Sequence, residues 1–265
     1  MKRTFAVGRR AELRRGLTLM ELVVVMVILA AVAGIVLPLL PNMITRAHSS
    51  TSATNLGEVG KAIQTYEAVY LSYPNGFDSL VTSAGTLPTY LPGNTGGDLT
   101  TLTTDTDVVG ALRSAGITTV AQMVATGTGD FNPTFYPYGS DKSIVPTIGT
   151  IATGSTLAAL TGTAARREFN LPLGGQYVVF GLGTRTSMQG KTLQEAPVHF
   201  SDDPTAAPNL AYSRVGIVFQ TAGVNSSGTL EAFGRARMVG IVGFHDDGIA
   251  SMNDHLGEYW AANKQ

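Results

Sequence analysis

From Leu17 to Leu29 the chain is apolar on every helical face except at Thr18 and Glu21, and residues 22–45 carry no charge. At about 1.5 Å per residue, such a run crosses the ~30 Å hydrocarbon core of a bilayer. A helix that is apolar all round is surrounded by lipid or by other helices. Glu21 is the exception that needs explaining, because a carboxylate in hydrocarbon costs roughly 2.5–3.5 kcal/mol at the bilayer centre and less near an interface. Gly34 and Pro38 follow, four residues apart. Pro38 has no N–H for the Gly34 carbonyl and its ring crowds that oxygen. Pro41 repeats the pattern against Leu37, so residues 34–41 are expected to kink or melt.

Beyond Pro41 the pattern becomes amphipathic. Leu56, Val59, Ile63, Tyr66 and Tyr70 recur at spacings of three and four, opposite Glu58, Lys61, Gln64 and Glu67. This predicts one helical stripe packed on the rest of the protein. Ser49-Ser50-Thr51-Ser52 is weak helix former and a bend there is expected. Pro74-Asn75-Gly76 ends the helix. The expected division is a leader at 1–16, an apolar half-helix at 17–41, an amphipathic half at 42–73, a loop-rich Thr/Gly segment at 74–170 and a sheet region at 171–265. Within the loop-rich segment, Val108–Val124 is expected to hold a short helix or two, and Phe131–Tyr138 an aromatic loop covering the core. In the sheet region, Gln176–Leu182, Arg214–Thr221 and Ala236–Phe244 read as strands, with Val198-His199-Phe200 a fourth. Asn225-Ser226-Ser227-Gly228 reads as a turn, which favours antiparallel pairing.

Charge adds a direction. Residues 1–16 hold six basic residues against Glu12, leaving 12 basic and 18 acidic residues in the remainder of the chain. A basic leader before an apolar helix places the leader in the cytoplasm and the body across the membrane. An acidic body argues against nucleic-acid binding. The 14 % charged content is low, and the absence of Cys excludes disulfides, thiolate metal sites and cysteine nucleophiles.

The stretch Arg15-Gly16-Leu17-Thr18-Leu19-Met20-Glu21 resembles the processing site of type IV pilins and type II secretion pseudopilins. The resemblance covers about 30 residues at the N-terminus. It implies cleavage between Gly16 and Leu17 by a prepilin peptidase, N-methylation of Leu17 as first mature residue, and Glu21 as the fifth mature residue. Leu17 stands where the family usually has Phe. Pro38 falls at the family's helix-breaking proline, where the stretch unwinds as the subunit enters the filament. The implied fold is α+β and pilin-like: a long N-terminal helix whose outer half packs on an antiparallel β-sheet, with a large loop-rich insertion. The implied partners are the prepilin peptidase/methyltransferase, other pilin or pseudopilin subunits and an inner-membrane assembly platform. The implied location is the inner membrane, single-pass with the N-terminus cytoplasmic, and then a periplasmic or extracellular filament. In such a filament the Leu17 amine supplies the cation that Glu21 needs, so Glu21 is expected to set register.

Chemistry elsewhere is sparse. Asp246, Asp247, Asn253 and Asp254 offer oxygen ligands suited to Ca²⁺, and some pseudopilins carry calcium in a C-terminal loop. Asp246-Asp247-Gly248 is also a turn signal, as are Asp202-Asp203-Pro204 and Asp105-x-Asp107. No G-x-S-x-G, P-loop or H-E-x-x-H motif occurs, and no enzymatic activity is expected. Two rival readings remain: a monomeric membrane-anchored binding protein or adhesin, and an exported enzyme cleaved after Ala31-Val32-Ala33, before Gly34.

Overall fold

The computed structural model describes residues 18–37, 40–92, 94, 97–123, 148–199, 211–245, 248–262 and 264. The chain divides into two compact units, Met1–Met43 and Ile44–Gln265. The first contains helix α1 (Leu19–Val36), in which no residue is buried. Its C-cap Leu37 keeps right-handed backbone angles and donates its N–H to the Ala33 carbonyl. Helix α2 spans Leu40–Tyr70. Pro41 falls in its first turn, where a missing N–H costs little.

The second unit is built on α2 and a nine-stranded sheet. Leu56, Val59, Ile63 and Tyr66 are buried, as the stripe predicts, while Tyr70 at its end stays partly exposed. Full burial of each such side chain contributes about 1.5–3 kcal/mol. Two boundaries differ from expectation. No bend interrupts residues 49–52: Ser49 and Ser52 are small enough to be buried, and Thr51 and Thr54 donate their hydroxyls to the carbonyls four residues back, at 2.8 and 2.9 Å. The helix also ends at Tyr70 rather than at Tyr73, because Leu71 turns into the left-handed region at φ +57°.

The strands are β1 (Phe77–Thr82), β2 (Leu99–Thr103), β3 (Thr119–Met123), β4 (Ile148–Thr150), β5 (Thr156–Leu160), β6 (Gln176–Gly181), β7 (Val215–Val224), β8 (Leu230–His245) and β9 (Gly248–Ser251). The order is β4-β3-β1-β6-β7-β8-β9, with β5 also paired to β6 and β2 paired to β5. One edge of β6 is therefore shared: Asp78 of β1 faces Gly181, while Ala159 and Leu160 of β5 face Val178 and Tyr177. The sheet is mixed rather than antiparallel, because β1 and β3 run parallel. The described residues of the Thr/Gly-rich segment 74–170 hold regular structure as well as loop. They supply five strands and helices α3 (Thr106–Ser114) and α4 (Gly162–Phe169). The expected second helix within Val108–Val124 is β3, since Gly116 ends α3 at φ +95° and Thr119-Val120 favour extended backbone.

Alternation along β6 and β7 explains the two faces. Val178, Phe180, Val215, Ile217 and Phe219 join α2 and α3 in one core. Tyr177, Val179 and Val218 join Ala164 and Ala165 of α4 in the other. Gly60 is a close-approach point of α2, where an added Cβ would lie 3.2 Å from Ile241 Cδ1. The C-terminal helix α5 (Met252–Ala262) follows β9. Val198 makes only an isolated bridge to Arg214 in place of the expected fourth strand.

Candidate functional site

Three regions carry polar chemistry, and the first is the start of α1. Thr18 is its N-cap, and Glu21 is its third residue. The Thr18 backbone N–H and hydroxyl donate to Glu21 Oε2 at 2.8 and 2.9 Å, and the Glu21 N–H donates to Thr18 Oγ1 at 3.2 Å. This is a reciprocal capping box, which satisfies two helix-end donors and holds the carboxylate over the first turn. Thr18-x-x-Glu21 ahead of an apolar run is the sequence signal for it. Gly16, Leu17 and Pro38 lie outside the described residues. Gly34 lies inside α1, and open space surrounds the position a Cβ would take there.

The second region is an acidic corner where α4, β9 and α5 meet. Asp254 Oδ2 accepts from the backbone N–H and hydroxyl of Ser251, both at 2.8 Å, and so caps α5. Glu168 Oε2 accepts from the same Ser251 N–H at 3.1 Å. Arg167 ties the corner together, donating to Glu168 Oε1 at 2.5 Å and to Asp98 Oδ2 at 2.8 Å. Asp98 Oδ2 also accepts from the Ile249 N–H at 3.3 Å. Burial, then a hydrogen bond to the Asp254 carboxyl, pushes Glu168 up to about 7 against the pull of Arg167. Burial also raises Asp254, but hydrogen bonds from Glu168 and Ser251 outweigh it and hold Asp254 below the usual range. Of the two carboxyls, Glu168 is the one whose proton is held to higher pH. Of the calcium candidates, Asp246 and Asp247 lie outside the described residues. Asn253 is exposed on the first turn of α5, and Asp254 is occupied as a cap. Among the described residues no three of His, Asp or Glu form a metal-holding group. Asp98, Arg167 and Glu168 lie between 86 and 156 positions before Asp254, and no local spacing signals their convergence.

The third region pairs two buried imidazoles. The rings of His199 and His255 lie 4.9 Å apart, and His255 Nδ1 is 3.4 Å from Glu258 Oε2. Glu258 in turn accepts from Ser49 Oγ of α2 at 3.1 Å. Asp105 caps α3 by accepting from the Val108 N–H at 2.8 Å, so the first residue of Asp105-x-Asp107 serves a helix end. Asp202-Asp203-Pro204 and the Phe131–Tyr138 loop lie outside the described residues. A cavity of about 290 Å³ opens beside β1, β3 and β4, lined by Ser79, Thr82, Gln122, Thr150 and Ser155 among others. Its lining offers hydroxyls, an amide and backbone groups.

A scan against protein-family models matches no family, and searches of curated proteins and of solved structures return no match.

Proposed function

We propose that this chain is a structural subunit of a type IV pilus-like or type II secretion pseudopilus filament, cleaved after Gly16 and assembled through its N-terminal helix. One observation carries the reading. Helix α1 is long and apolar enough to cross a membrane, buries none of its residues, and has a single carboxylate one turn from its start. A helix of that kind has no stable home in water. Before assembly its surroundings are lipid, with the leader cytoplasmic and the body across the inner membrane. After assembly they are the equivalent helices of neighbouring subunits.

In the filament, cleavage leaves a cationic amine at Leu17, and methylation keeps that charge. An axial offset of about one helical turn brings one subunit's amine to the next subunit's Glu21. Breaking such a buried pair costs roughly 3–5 kcal/mol, and a polar pair within apolar packing fixes register. Prepilin peptidase/methyltransferase and an assembly platform are the partners this route requires. No catalytic step is assigned to the body.

Mass spectrometry of the N-terminus of protein sheared from cells tests cleavage, methylation and assembly together. A methylated start at Leu17 in pelleted filaments is expected. A start at Gly34 removes the reading in favour of an exported protein, and a Leu17 start that never pellets favours an anchored binding protein or adhesin. The capping box allows a finer cut. Glu21→Gln preserves the cap, since Gln serves at that position, but removes the charge. Filament yield is expected to collapse in Glu21→Gln as it does in Glu21→Ala. Normal yield in Glu21→Gln would assign Glu21 to helix capping alone.

A further inference from the structure

Helix α5 has a wider apolar arc than the body covers. Met252, Leu256 and Trp260 recur every fourth residue and are 43 %, 41 % and 60 % exposed. At about 100° per residue they fall within roughly 80° of one another. His255 and Tyr259 occupy the adjoining arc and face the body. His255 is buried, the Tyr259 hydroxyl lies 3.5 Å from Arg46 Nη2, and the Arg46 guanidinium sits 5.2 Å from the Tyr259 ring centre. The helix's carboxylates lie on the remaining arc, where Asp254 caps Ser251 and Glu258 meets Ser49. No charged side chain belongs to the exposed stripe.

Two observations choose the occupant of this stripe. The first is chain reach. Helix α5 is fastened to Arg46 and Ser49, and only residues 37–45 separate Arg46 from the last residue of α1. Fully extended at about 3.5 Å each, those residues reach roughly 32 Å, and as helix roughly 14 Å. Once α1 is in a bilayer, α5 is tethered close to its surface. The second is chemistry. Trp260 and Tyr259 pack edge to face at 5.8 Å, with Arg46 over the Tyr259 ring. Amphipathic rings and long cationic stems are the side chains that settle at the boundary between headgroups and acyl chains. A helix that presents an uncharged apolar stripe to that boundary lies in its plane.

We propose that α5 is an interfacial helix: it lays Met252, Leu256 and Trp260 into the surface of the bilayer that holds α1, on the side where the body lies. The proposal rests on the anchoring role of α1 given above. It assigns the C-terminal helix a lipid surface as partner until the subunit leaves the membrane.

Trp260 is the sole tryptophan of the chain, so its fluorescence reports this face directly. The test uses the full-length chain reconstituted into phosphatidylcholine vesicles that contain lipid spin-labelled either at a shallow or at a deep acyl position. The shallow label is expected to quench Trp260 at least twofold, the deep label less, and acrylamide only weakly. Met252→Glu with Leu256→Glu, both at exposed positions, is expected to abolish lipid quenching while the protein still floats with the vesicles. A floating wild-type protein whose Trp260 is open to acrylamide and untouched by either label overturns the proposal. So does stronger quenching by the deep label. Shielding without lipid quenching that grows with the protein-to-lipid ratio also overturns it, and gives the face to a second copy of the chain. Failure of the wild-type protein to float overturns the anchoring role of α1 and this proposal with it.

Discussion

Leu19–Val36 of α1 exposes every side chain, whereas between Ser49 and Tyr66 α2 turns one stripe inward and leaves Glu58, Lys61 and Gln64 outside. The two helices obey the same backbone rules and differ in where their apolar surface goes. In α2 the stripe closes a core shared with α3 and with Phe77, Phe180 and Phe219 of the sheet. In α1 the apolar surface runs round the whole circumference. A helix that is complete within its own chain has a polar face, and a helix that awaits a partner has none. Helix α1, with one capped carboxylate at its start, is long and apolar enough to cross a membrane.

Substitutions can break or sharpen that contrast. Phe219→Ala strips the ring that meets Tyr73, Phe77 and Phe180, and is expected to cost about 3–5 kcal/mol of body stability. Thermal unfolding of the detergent-solubilised protein checks it, and insertion of α1 should be unchanged. Val27→Asp is the mirror experiment. It places a charge near the middle of α1 and is expected to lower membrane insertion by about 2.5–3.5 kcal/mol, read as the inserted fraction in a glycosylation assay, while the body melts at its usual temperature. A shift of the melting temperature in Val27→Asp would mean that the two units do not bury their apolar surface independently.

The acidic corner gives a smaller effect with a definite sign. Glu168 holds its proton up to about pH 7 in the folded chain, whereas an unfolded Glu releases it near 4.5. Folding therefore retains a proton between these values, so body stability falls as pH rises from about 4.5 to about 7 and levels off above. Asp254, held below its ordinary value, contributes stability that disappears as pH falls below about 3.8. Urea midpoints across this range should fall by an appreciable fraction above pH 4.5 in the wild type, and the slope should flatten in Glu168→Gln. Smallest of all, Lys61→Ala removes an exposed pair with Glu58 at 2.8 Å and should change stability by no more than about 0.5 kcal/mol.

The same contrast explains what could be read from the sequence. Helix α1 shows as an unbroken apolar run, the stripe of α2 as spacings of three and four, and strands β6 to β8 as Val-, Ile- and Phe-rich runs bounded by turn residues. Strand β1 does not, since Asp78, Ser79 and Thr82 interrupt its apolar residues although all six positions are buried. Its buried Asp78 accepts a hydrogen bond from the Tyr212 hydroxyl at 2.8 Å, a partner 134 residues away. The Thr-rich β2 and the three-residue β4 are strands because of their neighbours, not their composition. Helix α5 hid behind polar letters. Ser251-x-x-Asp254 followed by Leu256 and Trp260 is a capped helix start, yet Asn253 and Asp254 also read as oxygen ligands for a cation. At the candidate site, Glu21 was legible as an anomaly, but its bond to Thr18 required noticing the residue three positions before it.

The shared edge of β6 has a consequence in time. Strands β1 and β5 both pair with a strand that begins at Gln176, so until that strand is made neither the β1–β3 nor the β2–β5 ladder has its neighbour on β6. At a synthesis rate of about 5–20 residues per second, roughly 100 residues separate the appearance of Phe77 from that of Gln176, a wait of about 5–20 s. Long-range pairing of this kind is slow and leaves strand edges open to other chains. A bare edge that persists through that interval can meet the same edge of a neighbouring nascent chain, so the arrival of β6 is what ends the exposure.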